Sequence, residues 1–437
     1  MKRQRLLMAA LFVGGCAHYT SLPLPREPAL PASLPALPAA ALTVAQVTAL
    51  AVERSPDLVA ARTKRGVAQA QLAAAGVLPN PSLTGAFLPL ISGVGTVPAW
   101  NVGLTQDIKA LIVYRPRLRA ARDAAGQVEA DLLWQEWQTA GEARRLAVDL
   151  ILGEHNRALL TEADRLLAHR YALMQKALAA RDVTLTTAAP SASAFQSARA
   201  NLLAAEQHQL ELRHRLNALL GIAADAVVPL ADHIDLPPFD AAAAEASLTR
   251  LADRRPDLLA LRLGYAAADE DLRGQILSQF PDLVLGGSAS SDNSNVINAG
   301  PTATIGVPIF DRNQGHIAVA RATRVQLHAE YTARLAAVTG EVGAMLGERA
   351  ALTRQLAIVR GDLPKAKAAA DRAAQAFNQS ALDERSYVDL ITAYFAKEQE
   401  IMTLETALAD QEVAIDTLMG AGLPAVDTLP PVEGARP

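Results

Sequence analysis

The residue types that most often carry enzyme or metal chemistry are few and poorly placed in this sequence. The chain has eight histidines and one cysteine, Cys16. No two histidines have the i, i+4 spacing that places two ligands on one helix face, so the sequence predicts no histidine metal site. A nucleophile elbow, a phosphate-binding Gly-Lys-Ser/Thr loop and a His-Glu-x-x-His motif are also missing. We therefore expect neither catalysis nor a cofactor, and any energy must come from a partner.

Cys16 is the one reactive side chain with an informative context. A basic start, an apolar stretch over residues 6–13 and two glycines precede it. This order is typical of a secretory signal and resembles a bacterial lipobox. We expect residues 1–15 to be removed as a signal peptide and Cys16 to be lipidated. A plain signal peptide with an incidental cysteine is the alternative.

The residues after Cys16 predict a tether rather than a folded element. Six prolines lie between residues 21 and 38. Proline fits neither a helix interior nor a central strand, so residues 16–41 should form an extended link of polyproline character. Residues 423–437 likewise predict a loose C-terminal tail.

Composition limits the class of protein. The chain has 437 residues, of which 51% are hydrophobic and only 4% aromatic, and it is rich in alanine. Alanine favours helix over strand, so most of the chain should be helical. A net charge of −4 argues against a nucleic-acid partner, which would require a basic excess. After residue 16 no run of about 18–20 apolar residues predicts a membrane-spanning helix.

An internal duplication organises the chain. The sequence RSPDLVA at residues 54–60 returns as RRPDLLA at residues 254–260, and the proline and glycine punctuation that follows keeps the same order. Self-similarity at a fixed distance indicates a repeated structural unit. We define the first repeat as residues 42–222 and the second repeat as residues 246–422, joined by a linker over residues 223–245.

Each repeat predicts two strands followed by a long helical hairpin. The expected strands cover about residues 83–90 and 101–108, and then 283–290 and 302–309. The expected long helices cover about residues 116–180 and 192–220, and then 313–377 and 387–419. A helix of about 65 residues is a rod on the order of 100 Å long. Apolar residues at heptad spacing predict that these rods pair as antiparallel coiled coils.

Four strands per chain imply an oligomer if they cross a membrane. Their length of eight to ten residues suits a tilted bilayer strand. Open strand edges cannot face lipid, so the strands of several chains must close a barrel together. Two chains would give an eight-stranded barrel, and side chains fill the interior of a barrel of that size. Three chains would give twelve strands with room for water, so a trimeric channel on a helical tube is favoured.

A short motif lies where the last strand meets the long helix of the second repeat. It consists of Pro308, Phe310, Asp311, Arg312, Asn313, Gln314 and Gly315. This motif and the doubled plan resemble the TolC-like outer-membrane factors of tripartite efflux pumps. The Arg-Asn-Gln-Gly part is similar to the heavy-metal, CzcC-like branch. The first repeat departs from the family pattern after its second strand, where residues 107–117 carry an apolar run, so the strand–helix junction there is not fixed by sequence.

The resemblance implies an architecture and a set of partners. The fold would be mainly α with a membrane β-barrel: a homotrimer forming a 12-stranded barrel on a long periplasmic helical tube. The partners would be a periplasmic adaptor protein, an inner-membrane RND-type pump and the lipid of the outer membrane. The location would be the outer membrane of a Gram-negative bacterium, with a lipid anchor and a large periplasmic portion.

The resemblance also implies roles for residues at the hairpin turns. Asp389 is similar to the family's tip aspartate, so three copies would form an acidic, cation-attracting gate. The family's second acidic position is Thr392 here, which leaves one ring. A solvated helix-face aspartate is the alternative. The candidate adaptor-docking residues are Thr184, Thr187, Asp383, Glu384 and Arg385.

The resulting hypothesis is a passive efflux channel for divalent heavy-metal cations. Efflux of drugs or other organic compounds is the alternative within this class. A periplasmic coiled-coil scaffold or adaptor without a pore is the alternative outside it. The sequence patterns do not specify the substrate, the identity of the adaptor and pump, or the resting state of the tip.

Overall fold

The computed structural model describes residues 19–27 and 41–420. Cys16, most of the proline-rich tether and residues 423–437 lie outside the described residues, so the lipidation, tether and tail predictions stay predictions. The described chain is mainly helical, as its composition predicts. No helix among the described residues is long and apolar enough to cross a membrane.

The first repeat begins with two helices. Helix α1 spans Val44–Arg54 and α2 spans Pro56–Ala75. Thr43 caps α1 in a capping box with Gln46. The break falls at Ser55 because the residue before a proline is pushed out of the helical region, and its ψ is 122°.

Long antiparallel hairpins follow in both repeats. In the first repeat a short α3 covers Ile108–Ile112, and then come α4, Tyr114–Ala179, and α5, Leu185–Leu220. The second repeat has α6 at Ala241–Ser247, a 3-10 turn at Leu248–Arg250, α7 at Leu251–Arg254, α8 at Pro256–Leu277, α9 at Gln314–Asn378 and α10 at Glu384–Met419. The order of the main elements is therefore the same in both repeats. Helix α3 fills the junction that the sequence left open.

Two predicted helix starts were wrong by several residues. Helix α5 begins at Leu185 rather than near residue 192, and Pro190 lies inside it. The turn is short because the Thr184 side chain accepts a hydrogen bond from the Thr187 amide and caps the helix. Helix α10 begins at Glu384 rather than residue 387 because Asp383 caps it in the same way.

The four strands form one antiparallel sheet in the order β1-β2-β3-β4. They span Ser82–Leu88, Ala99–Asp107, Asp282–Ser291 and Ile297–Gly306. The predicted bounds of β4, residues 302–309, were wrong, because the polar loop before it covers only residues 292–296. Pro301 lies inside β4, opposite Gly287 of β3.

Helix α4 is the scaffold on which both repeats assemble. It packs against α2 and α5 of its own repeat and against α8 and α10 of the second repeat. Its middle carries the main core, together with α1 and the end of α5. This core includes Leu146, Ala147 and Leu216, which are at most 1% exposed. The second repeat has a separate buried cluster, which includes Val338, Val342 and Ile415, and it packs against α4 through α8 and α10.

Arg255 ties the second repeat to the first. It is fully buried and pairs through two hydrogen bonds, of 2.8 and 2.6 Å, with Asp257. It also donates to the Leu418 carbonyl at 2.6 Å, and its guanidinium lies 4.3 Å from the ring centre of Trp134 on α4. Guanidinium groups stack favourably on indole faces. The first repeat has Ser55 at the equivalent position, so this contact is made only once.

Candidate functional site

The sheet has one apolar face and one polar face. In an antiparallel sheet, directly paired residues point to the same side, so the strand register assigns every side chain to a face. Phe87 pairs with Trp100, and Trp100 pairs with Ser291. The register places all of the following apolar side chains on one face of the four strands: Leu83, Phe87, Trp100, Val102, Leu104, Leu283, Leu285, Ala289, Ile297, Ala299, Pro301, Ala303 and Ile305.

This apolar face is uncovered in the single chain. Leu83 is 73% exposed, Phe87 67% and Ile305 58%. The only polar side chains on it, Gln106 and Ser291, lie at its two ends. A contiguous exposed apolar surface of this kind marks contact with another apolar medium or partner. Trp100 lies at the start of β2 on this face, a position typical of the aromatic girdle of a membrane strand.

The opposite face of the sheet is polar. Its side chains include Ser82, Thr84, Asn101, Thr105, Asp107, Asp282, Ser288, Ser290, Asn298, Thr302 and Thr304. Strands that alternate between apolar and polar residues in this way are typical of membrane barrels with a wet interior. The sheet also has two edges, β1 and β4, that lack a partner strand within the described residues.

The junction motif builds a tight turn from β4 into α9. Asp311 accepts a hydrogen bond from the Asn313 amide at 2.8 Å, and Gln314 accepts one from the Arg312 amide at 2.7 Å. Asn313 adopts a left-handed conformation with φ of 62° and donates through its side chain to the Gln275 carbonyl at 2.8 Å. Asparagine tolerates this conformation better than most residues.

The remaining motif positions have simpler environments. Pro308 follows the end of β4, and Phe310 is 91% exposed. A Cβ at Gly315 would meet no atom within 4 Å. The motif is therefore a turn built by Asp311, Asn313 and Gln314.

The hairpin turns of both repeats meet at one end of the rods. Between them lies a groove of about 980 Å³, lined by the starts of α5 and α10. Four of the five predicted docking residues line it: Thr187, Asp383, Glu384 and Arg385. The fifth, Thr184, caps α5 beside it. The fold thus brings together predicted docking residues that lie about 200 positions apart in the sequence.

Asp389 also lines this groove and is exposed. It lies one turn beyond Arg385 on the same helix. The Thr392 hydroxyl that follows is buried without a hydrogen-bond partner among the described atoms. In one chain Asp389 is thus an accessible carboxylate at the end of the rods, and its role as a gate stays a prediction.

A buried ion pair behind the groove was missed by sequence reasoning. Glu384 is only 5% exposed and pairs bidentately with Arg170 of α4, and it also accepts from the Ser191 hydroxyl of α5. The Arg170 guanidinium lies 4.0 Å from the ring centre of Phe377 and 5.4 Å from that of Tyr387. We call these five side chains the tip cluster. It holds the end of α10 against the first hairpin.

The part of the chain that the structure describes contains no candidate metal centre. No group of three or more His, Cys, Asp or Glu side chains comes together there as a metal site. The features that remain are surfaces: a two-faced sheet with open edges and a groove at the far end of long rods.

Comparisons with known proteins point to the same family that the motif suggested. The family model described as outer membrane efflux protein matches residues 248–421. Over 263 residues the chain is 22% identical to the cation efflux system protein CusC of Escherichia coli K12. This alignment covers 58% of this chain and 57% of that protein. The chain thus spans little more than half the length of this curated relative.

The fold of the whole described chain is that of solved outer-membrane channels. A CusC structure superposes with a TM-score of 0.71 at 18% identity, covering 94% of this chain and all of that one. The outer membrane protein VceC of Vibrio cholerae gives a TM-score of 0.72 at 17% identity, covering 86% of this chain and 96% of that one. The predicted family resemblance is confirmed over residues 248–421 by the family model, and the predicted plan of the fold is confirmed by these structures.

Proposed function

We propose that this chain is one subunit of a trimeric outer-membrane channel in a tripartite efflux system. The observation that carries the proposal is the four-stranded sheet with an apolar face, a polar face and two free edges. Pairing β4 of one copy with β1 of the next would satisfy both edges. Three copies would supply twelve strands, with the apolar faces toward lipid and the polar faces toward a water-filled lumen.

The hairpins would then form a tube that continues the barrel into the periplasm. Helices α4 and α9 have 66 and 65 residues, so each rod is about 100 Å long. The groove at the end of the rods is the proposed docking surface for a periplasmic adaptor, with an inner-membrane RND-type pump behind it. Anchoring through a lipidated Cys16 would complete the attachment to the outer membrane of a Gram-negative bacterium.

Divalent heavy-metal cations are the proposed substrates. The support is the Arg312–Gly315 motif and the similarity to a cation efflux system protein. A ring of Asp389 side chains at the tip would favour cations electrostatically, and weak contacts suit conduction better than tight ones. Efflux of drugs or other organic compounds stays the second candidate, because structures whose names state only an outer-membrane channel, such as OprN with a TM-score of 0.71, superpose equally well.

A growth-inhibition profile tests the substrate. A deletion strain, with and without the wild-type gene restored, would be exposed to zinc, cobalt, cadmium, nickel, copper and silver, and to a panel of drugs and dyes. We expect restored growth only with the divalent metals. Restored growth only with the drugs would move the protein to organic efflux and leave the channel proposal intact.

The orientation of the sheet can be tested separately with two neighbouring substitutions in β4. Ala303 lies on the apolar face and Thr304 on the polar face, and both are exposed. A lipid-facing arginine near the bilayer midplane costs about 2–4 kcal/mol, whereas a lumen-facing one is tolerated. Ala303→Arg should therefore reduce folded protein in the outer-membrane fraction, and Thr304→Arg should not. Equal amounts of both variants would contradict the assignment of the faces.

A further inference from the structure

Two carboxyl groups meet inside the contact between the repeats. Asp149 of α4 and Asp410 of α10 lie within hydrogen-bonding reach of each other. Asp149 is 8% exposed, and the Oδ1 atom of Asp410 is buried with no donor among the described residues. Two ionised carboxylates cannot hydrogen-bond, because each can only accept. The contact therefore requires a proton between them.

The cations near this pair act on it by charge alone. Arg145 of α4 acts on both carboxyls and Arg215 of α5 on Asp149, and among the described residues neither arginine comes within ion-pair distance of either carboxyl. Helix α1 and the segment after α5 contribute apolar side chains at this level, including Val44, Val47 and Ile222. Water is thus replaced on these sides by apolar packing.

The other charged groups close to this stretch of α10 are engaged elsewhere. Glu348 of α9 accepts from the Gln411 amide at 3.1 Å, and Glu412 pairs with Arg349 at 2.7 Å. Asp416 lies one and a half turns further along and interacts electrostatically with Arg144 of α4. The acid pair therefore has only a proton to hold it together.

We propose that Asp149 and Asp410 form a proton-dependent latch, which adds to the contact between α10 of the second repeat and α4 of the first while the pair shares a proton and opposes that contact once both carboxyls are ionised. The latch lies about 40 Å along α10 from its first residue, at 1.5 Å per residue. It is thus remote from the tip cluster. It is a different contact between the repeats, and it responds to the pH of the surrounding compartment.

The titration of the pair supports this proposal. Burial, with the charge of Asp149 and its hydrogen bond, raises the pKa of Asp410 to about 7. Burial also raises the pKa of Asp149 above its ordinary value. A carboxyl whose pKa is raised by folding binds its proton more tightly in the folded state. The free energy of unfolding therefore falls as pH rises from the ordinary aspartate pKa toward 7, and it is insensitive to this pair at higher pH.

The test uses the full-length protein in detergent micelles, compared with Asp410→Asn. The side-chain NH2 group of asparagine does not titrate and can donate a hydrogen bond to Asp149 at any pH. The variant should therefore keep the contact at every pH. The wild type should show a thermal midpoint that falls between about pH 5 and about pH 8, and the variant should lose most of that slope. The infrared C=O band of a protonated carboxyl should titrate near neutral pH in the wild type and be missing in the variant.

Two further variants keep the result interpretable. Asp149→Asn should give the same loss of slope and of the infrared band, and it replaces Asp410→Asn if that variant does not fold. Asp362→Asn changes an exposed aspartate on α9 that pairs with Lys365, and it should leave both readouts unchanged. A wild-type slope and a wild-type infrared band in both pair variants would overturn the latch.

Discussion

The tip cluster makes the sharpest prediction about the functional end of the molecule. In Glu384→Ala the carboxylate that Arg170 and Ser191 contact is removed, while the backbone of α10 is kept. The side chain of Arg170 is only 14% exposed. Its guanidinium would remain between Phe377 and Tyr387 without an acceptor.

The size of the effect follows from this burial. Removing one member of a buried ion pair typically costs about 3–5 kcal/mol, because the remaining charge stays desolvated. The aromatic contacts to Arg170 persist in the variant and do not replace the lost charge. A cost of this size should make local opening of the tip about 10²- to 4 × 10³-fold more frequent, since about 1.4 kcal/mol corresponds to a factor of ten.

Amide hydrogen exchange on the full-length protein in detergent measures this opening directly. The informative amides are those in the first turns of α5 and α10. The matched control is Glu405→Ala on the same helix, whose partner Arg360 is 57% exposed. An exposed pair of this kind contributes about 0.2–1 kcal/mol. The control should therefore change exchange by less than about tenfold, and at a different level of the rod.

Arg170→Ala completes the comparison. If the two side chains act as a pair, the double variant should open little more often than the worse single variant. Exchange at the tip that is unchanged in Glu384→Ala, or identical to that of the control, would refute the conclusion that this ion pair holds α10 to the first hairpin.

Two stability predictions follow from the packing of the rods. Arg255→Met removes the buried guanidinium that lies between the repeats, while Asp257 keeps a second partner, Arg334, at 3.0 Å. Urea denaturation should therefore show a loss of about 1.5–3 kcal/mol, the usual contribution of hydrogen bonds to a charged group. A loss below about 0.5 kcal/mol, as at an ordinary surface position, would contradict the role of this contact. Gly153→Ala places a Cβ in steric overlap with the Gln209 side-chain nitrogen. Because Gln209 is only 5% exposed, its side chain has little room to move away, and crowding of this kind costs about 1–3 kcal/mol. Gly347→Ala, where no atom lies within 4 Å, should instead be neutral or stabilising by up to about 1 kcal/mol, and equal effects of the two glycine variants would contradict the close helix contact.

Sequence patterns were sufficient for the plan of the fold, because that plan rests on local and periodic signals. The duplicated motif around Pro56 and Pro256, the uninterrupted helical composition and the turn-rich loops predict strand pairs and long hairpins. Element boundaries were less accurate where two local signals compete. At the first hairpin turn, the capping side chain of Thr184 prevailed over the helix-breaking tendency of Pro190.

The contacts between distant segments could not be predicted in this way. Glu384 was selected for its position at a turn, but its partner Arg170 lies on another helix more than 200 residues away. Arg255 is fully buried only because Trp134 and the Leu418 carbonyl surround it. A charged residue in a helical sequence usually lies on the surface, and only the tertiary structure shows when it does not.

The number of chains in the assembly tests the central proposal most directly, because one sheet with two free edges cannot form a pore alone. Native mass spectrometry of the full-length protein, released from detergent micelles, counts the copies. We predict a dominant species of three chains, enough for twelve strands. A folded species that stays monomeric as the detergent concentration is lowered would contradict the channel.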